Sequence, residues 1–320
     1  MTNELATTES TELAEIGDVW QKAMDRFLAS LDTKPITRTA YRKALQVFRV
    51  WVTEKGYTQP QREQVLEYKA DLQTRTRQDY TGETKRLSSL TVTAYLTALR
   101  RFFAYLESEK IYPNIAKDVR GLKRPKGFLR DTLTKDEAKR LLEGIGQEVS
   151  AGLRDYAMIN LMLRTGLRTI EVSRALIGDI GRREGKTILW VLGKNQDTKD
   201  EYVILTEETY TPVLNYLQTR DQTRLSDPLF SSHSNRNQTE ALTTRSIRRI
   251  IEDRLQDVGL KTPKVTAHSL RHTAGTIALM NGADLLSVKE MLRHENMNTT
   301  LAYVHNLNRL QKGAEEYIAF

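Results

Sequence analysis

The sequence predicts a mainly α-helical protein in two parts: a bundle of four helices, then a larger mixed α/β region with a small antiparallel sheet. Three observations carry this. Apolar residues recur at helical spacing through most of the 320 residues. The stretch GLKRPKGFLR at 121–130 breaks that pattern with two Gly, one Pro, four basic residues and no acid, the composition of a linker. Two runs of β-formers, Thr187–Leu192 and Glu201–Leu205, flank a polar turn in the second part and read as a hairpin.

The first dozen residues are polar and read as a frayed arm. Ile16, Val19, Trp20, Ala23, Met24, Phe27, Leu28 and Leu31 then follow the spacing of one apolar helix face, which Pro35 stops. Thr37 reads as the N-cap of a second helix with Tyr41, Leu45, Phe48 and Val52 inward, ended by Gly56. A third helix runs near Gln61–Thr74, and the polar stretch 74–88 around Gly82 reads as a loop. Ser89 or Thr91 caps a fourth helix carrying Leu96, Leu99, Phe102, Phe103 and Leu106, and Ile111–Val119 closes the bundle.

After the linker, Thr134 and Glu137 form a capping-box pattern. Helices follow near 134–145, 152–165 and 169–177, then the hairpin, then helices near 209–220, 243–257, 269–280, 284–293, 296–304 and 306–316.

The chain carries 49 Lys+Arg against 41 Asp+Glu, a net charge of +8, although Glu4, Glu9, Glu12 and Glu15 make the first residues acidic. That excess fits a polyanionic partner, nucleic acid first. With no Cys, disulfide scaffolds, thiolate zinc sites, iron–sulfur clusters and thiol nucleophiles are excluded. No apolar run approaches the roughly 18–20 residues of a membrane span, and the acidic start is the reverse of a signal peptide. The expectation is a cytoplasmic protein with no membrane partner. Four of the five His (His268, His272, His294, His305) fall near the C-terminal end, a gathering of scarce ionisable groups that points to a site.

Three segments carry chemistry. In RTGLRTIE (164–171), Gly166 ends one helix in a conformation only Gly adopts cheaply, and Arg168 opens the next with Glu171 three residues on to hold it. A guanidinium there can grip a phosphate bidentately. In TAHSLRH (266–272), His268 and Arg271 share a helix face, a proton carrier beside a permanent cation. His268 and His272 at i, i+4 also admit a zinc reading, but Ser269 stands where a metalloprotease helix has Glu, and Arg271 lies between the imidazoles, so no metal is expected. In LRHENMNTTLAYVH (292–305), His294 precedes Tyr303 by nine residues across a helix break.

Taken together, TGLRxxE, GK in a hairpin, HxLRHT and LxHxxxxTTxxYxH, in that order, resemble the tyrosine recombinase (phage integrase) family over about residues 15–320. The resemblance implies a helical core-binding domain (four-helix, SAM-like) at 15–120 and a mixed α/β catalytic domain at 131–320, with 1–14 a flexible acidic arm and 121–130 a basic linker crossing DNA. It implies that Arg168 and Arg271 grip the phosphate, His268 is the general acid/base, His294 positions or polarises the phosphate, and Tyr303 is the nucleophile. Lys194 resembles the hairpin lysine that protonates the leaving 5′ oxygen, with Lys199 the second choice because the turn 195–200 is longer than usual. Glu171 and His272 are expected to support the site. Lys123, Arg124 and Lys126 are expected to contact DNA. Arg293 stands where the family usually has Gly, and Ala274 where a large apolar residue is common.

This chemistry needs no metal and no cofactor: a nucleophile, a proton for the leaving group, and positive charge where oxygen charge builds. The expected reaction is site-specific recombination of double-stranded DNA through a 3′-phosphotyrosyl link and a Holliday junction. A homotetramer on two sites would carry it out. Leu307, Leu310, Ala314, Tyr317 and Ile318 form an apolar face on a tail helix that the family docks on a neighbouring protomer. The few residues before the first helix leave no room for an arm-binding domain, which favours the simple Xer-like two-domain form. The competing readings are a type IB topoisomerase-like enzyme and a DNA-binding regulator that does not cut.

Overall fold

The computed structural model describes residues 19–78, 82–123, 131–193, 197–234, 238–301 and 303. The chain divides into two units, Met1–Lys126 and Gly127–Phe320.

The described helices of the first unit are α1 (19–30), α2 (Pro35–Glu54), α3 (Arg62–Thr74) and α4 (Ser89–Ser108). Their core is aromatic: Phe27, Phe48, Trp51, Tyr68, Phe102 and Phe103 are buried, and Trp20 packs against them. Phe48 meets Tyr68 edge-on at 4.9 Å, the geometry ring quadrupoles favour. Ile115, Ala116 and Val119 close this core after α4.

Two start positions differ from expectation. Pro35 opens α2 rather than merely ending α1: the helix begins at Pro35 with Lys34 as N-cap, so Thr37 lies inside it. Proline is tolerated there because the first helical N–H has no intrahelical acceptor. Helix α4 is capped by Ser88, whose hydroxyl accepts from Thr91 N at 3.1 Å, so neither Ser89 nor Thr91 is the cap. The stretch 74–88 is also not all loop. Thr76–Gln78 (β1) pairs antiparallel with Thr84–Arg86 (β2). Every residue of both strands is exposed, so no alternation of apolar and polar residues marks them.

In the second unit, α5 (Lys135–Glu143) starts with the capping box of Thr134 and Glu137. It is followed by α6 (Ser150–Thr165), α7 (Thr169–Arg174), a three-stranded antiparallel sheet and α8 (Glu207–Gln218). Then come α9 (Thr244–Asp257), α10 (Ala267–Met280), α11 (Leu285–Leu292) and α12, described at 297–301 and 303. Helix α6 runs through the core and buries Ala157 to Leu163 without a break.

The expected hairpin is present as β4 (Lys186–Val191) and β5 (Glu201–Ile204), with an additional strand β3 (Ile180–Arg183) beside β4. Gly181, Arg182 and Arg183 have no β-former pattern. The strand's sequence signature is its turn, Glu184-Gly185, where both residues take positive φ (50° and 77°) as a tight two-residue hairpin requires. Among the described residues, no helix is long and apolar enough to cross a membrane.

Candidate active site

Gly166 closes α6 in the left-handed conformation (φ 63°), and a Cβ there would lie 2.4 Å from Leu292 Cδ2. Both the torsion and the close approach exclude a larger residue. The turn sets Arg168 at the N-cap of α7, one turn from Glu171. The Glu171 carboxylate accepts from Arg168 Nη1 (2.7 Å), from Arg168 backbone N (2.7 Å) and from Arg293 Nη2 (2.8 Å). Burial works to raise its pKa, yet the Arg293 cation, the Arg168 backbone hydrogen bond and the Arg168 cation hold it below the usual carboxylate value.

Arg271, on α10, is buried and donates to two carbonyls, Gly166 O at 2.6 Å and Leu292 O. Arg168 Nη2 donates to the next carbonyl, Arg293 O, at 3.3 Å. Arg293 ends α11 with φ 52°, a left-handed turn, so carbonyls at two successive residues, Leu292 and Arg293, hold the two guanidiniums. Each guanidinium has five N–H donors, so these contacts fix it without exhausting it. Burial, together with the Arg168 and Arg293 cations, pushes Arg271 down to about 9, still protonated at neutral pH.

Tyr303 is 1% exposed and packs with Val288 and Leu292. Gly275 on α10 makes room for it: a Cβ there would stand 3.3 Å from Tyr303 Cε1. The phenol oxygen is hydrogen-bonded to His272 Nδ1 at 2.7 Å. Burial pushes the phenol up to about 12 against the pull of Arg271 and Arg168. His272 is pushed down to about 4 by burial, His268 and Arg271. The His268 ring stands 4.5 Å from that of His272, nearly perpendicular, on the exposed side. His294 lies almost parallel to Tyr303 at 6.2 Å and shares a 2.9 Å hydrogen bond with Thr300 Oγ1 through Nδ1. Burial and the surrounding cations, Arg271 and Arg168 foremost, push it down to about 3.

The structure therefore brings together Arg168, Glu171, Arg271, His272, His294 and Tyr303, with His268 one ring further out. Lys194, Arg124 and Lys126 lie outside the described residues, as does the tail helix after Tyr303. Lys199 is engaged elsewhere: its ammonium donates to both Asp179 carboxylate oxygens at 2.6 and 2.7 Å. Lys123 is exposed in the first unit. Sequence reasoning recorded Arg293 only as a departure from a usual Gly. It is a buried ion-pair partner of Glu171, and the signal was the pattern itself, since a position that favours Gly favours a left-handed turn. Among the described residues, no group of three or more His, Asp or Glu side chains is placed to hold a metal ion.

A phenol, two fixed guanidiniums and neutral imidazoles gathered on a helical scaffold define a phosphoryl-transfer enzyme. The family model for the phage integrase family matches residues 131–309. The tyrosine recombinase XerC of Thermodesulfovibrio yellowstonii is 32% identical over 229 residues, 69% of this chain and 73% of that protein. The tyrosine recombinase XerD of Pseudomonas putida is 29% identical over 280 residues, 84% and 86% of the two chains. The crystal structure of the XerH site-specific recombinase in a post-cleavage complex with palindromic difH substrate shares the fold. Its TM-score is 0.71 at 23% identity, covering 88% of this chain and 80% of that one. The chain belongs to the phage integrase family, the tyrosine recombinases, and is an enzyme of site-specific DNA recombination that cleaves and transfers DNA strands.

Proposed function

We propose that Tyr303 attacks a phosphate of double-stranded DNA, forming a 3′-phosphotyrosyl link and a free 5′-hydroxyl. A 5′-hydroxyl from a partner duplex then attacks that link, so that strands exchange through a Holliday junction. Arg168 and Arg271 hold the non-bridging oxygens, His294 orients the phosphate, and Lys194 protonates the leaving oxygen. The observation that carries the reading is the phenol of Tyr303, buried beside Arg271 and hydrogen-bonded to an imidazole held neutral. A phenolate leaves readily in the return step, which suits strand exchange rather than hydrolysis.

The working form is a homotetramer on two sites in the cytoplasm, with 15–120 as the core-binding domain. A cavity of about 870 Å³ on the catalytic unit, lined in part by Tyr202, Ile204, Val288 and Met291, supports docking of a neighbour's tail helix through Leu307, Leu310 and Ile318. Mixing two differently labelled nicked duplexes tests the function: wild type should give SDS-resistant complexes and hybrid junctions. Covalent complexes and relaxation of supercoils without hybrid products would instead mark a topoisomerase-like enzyme.

Lys123, with Arg124 and Lys126, contacts the phosphate backbone in this reading. Lys123→Gln should weaken binding uniformly across sequences and reduce the salt slope by about 1, as loss of one phosphate contact does. Binding titrations at several salt concentrations read this directly, and an unchanged slope removes Lys123 from the interface.

A further inference from the structure

We propose that His272 is the base that takes the proton of Tyr303 during cleavage and returns it during joining, with His268 the next group outward toward solvent. The proposal rests on the reading of Tyr303 as nucleophile and gives its proton a destination.

The geometry assigns the role. His272 Nδ1 lies 2.7 Å from the phenol oxygen, within the range in which a base can accept a proton directly. His268, the histidine that the family motif would favour, stands against the His272 ring, with centroids 4.5 Å apart and planes at 82°. His294, the other imidazole beside the phenol, turns its Nδ1 to Thr300. His272 follows Arg271 on α10, so the helix that buries one phosphate-gripping guanidinium also sets the imidazole against Tyr303.

In the forward step, Tyr303 Oη bonds to phosphorus, its proton passes to the Nδ1 lone pair of His272, and the bond from phosphorus to the 5′ oxygen breaks. The 5′ oxygen takes a proton from the general acid. In joining, a 5′-hydroxyl attacks phosphorus and gives its proton back to the conjugate base of the general acid, the bond to Oη breaks, and the proton on Nδ1 returns to Oη. This requires the Nε2–H tautomer of His272. Burial and the adjacent His268 and Arg271 keep His272 unprotonated before DNA binds. A phosphate seated on Arg168 and Arg271 adds negative charge beside the imidazole and makes it a better acceptor when the proton must move.

Two variants and a rescue test this on a nicked duplex under single-turnover conditions. His272→Asn places an amide oxygen where Nδ1 stands, able to accept the hydrogen bond but not the proton. It should bind DNA within about twofold of wild type and cleave about 10²-fold more slowly, the usual contribution of proton transfer. His272→Ala should be equally slow and recover about tenfold or more with added imidazole, the small base entering the space of the deleted ring. Tyr303→Phe should not respond to imidazole. A duplex with sulfur in place of the bridging 5′ oxygen needs no general acid, so His272→Asn should remain slow on it if the missing function is the base. Wild-type cleavage by His272→Asn overturns the proposal. So does a slow, DNA-bound His272→Ala that imidazole does not restore. Absence of a covalent complex with wild type, or its persistence in Tyr303→Phe, instead removes the nucleophile assignment and the proposal with it.

Discussion

Tyr303→Phe should bind a recombination-site duplex with wild-type affinity and form no SDS-resistant complex at any time of incubation. The change removes one oxygen and leaves the ring, which packs against Val288 and Leu292 and lies over Gly275. In the proposed reading Arg168 and Arg271 grip the phosphate, and they are held in place by Gly166, Leu292, Arg293 and Glu171. Stability should fall by about 0.5–1.5 kcal/mol, the worth of a hydrogen bond such as that to His272. Loss of covalent chemistry with binding preserved and the thermal midpoint lowered by only a few degrees is therefore the expected signature. The native phenol itself needs help, because with its pKa raised to about 12 only about one molecule in 10⁵ is ionised at neutral pH. If Tyr303 is the nucleophile, a base in contact with its oxygen, such as His272, favours the reaction. A covalent complex with the Phe variant would place the nucleophile elsewhere.

The parts of this site that could be read in the sequence are those encoded locally. Arg168 and Glu171 are three residues apart across a helix start, and Gly166 announces the left-handed turn before it, so their pairing follows from spacing alone. The capping box at Thr134 and the apolar faces of α1, α2 and α4 were legible for the same reason. What escaped depends on contacts between distant segments or on strands without an apolar face. Strand β3 and the β1–β2 pair carry mostly polar residues, so periodicity has nothing to register. His272 and Tyr303 are 31 residues apart, and only the packing of α12 on α10 shows that His272 meets the phenol. In the sequence Arg293 is only a departure from the family's usual Gly. Its turn points its carbonyl to Arg168 and its own guanidinium inward to Glu171, 122 residues earlier.

Glu171→Gln should have the largest effect on stability of any single change at the site. The carboxylate is 1% exposed and serves two cations, with Arg293, 3% exposed in its side chain, depending on it most. Neutralising Glu171 leaves the Arg293 charge buried without a counter-ion, and breaking a buried pair in this way typically costs about 3–5 kcal/mol. For a unit of this size the unfolding midpoint of the catalytic unit should drop by roughly 10 °C at neutral pH. The pH dependence separates charge from shape. The folded-state pKa of Glu171 is depressed, so its contribution is fully present above the unfolded carboxylate value of about 4.3 and is lost as pH falls through the folded value. Since Gln resembles the protonated acid, the gap between variant and wild type should be widest near neutrality and shrink in acid. A gap independent of pH would mean that the amide disturbs packing instead. Cleavage should fall as well, because Arg168 loses the charged acceptor that fixes its guanidinium, and misplacing a phosphate-binding group by about 1 Å costs about 10²-fold. Under the proposed reading Glu171 joins stability to catalysis: one buried carboxylate binds Arg168, the cation assigned to the phosphate, and Arg293, whose left-handed turn gives Arg168 a carbonyl.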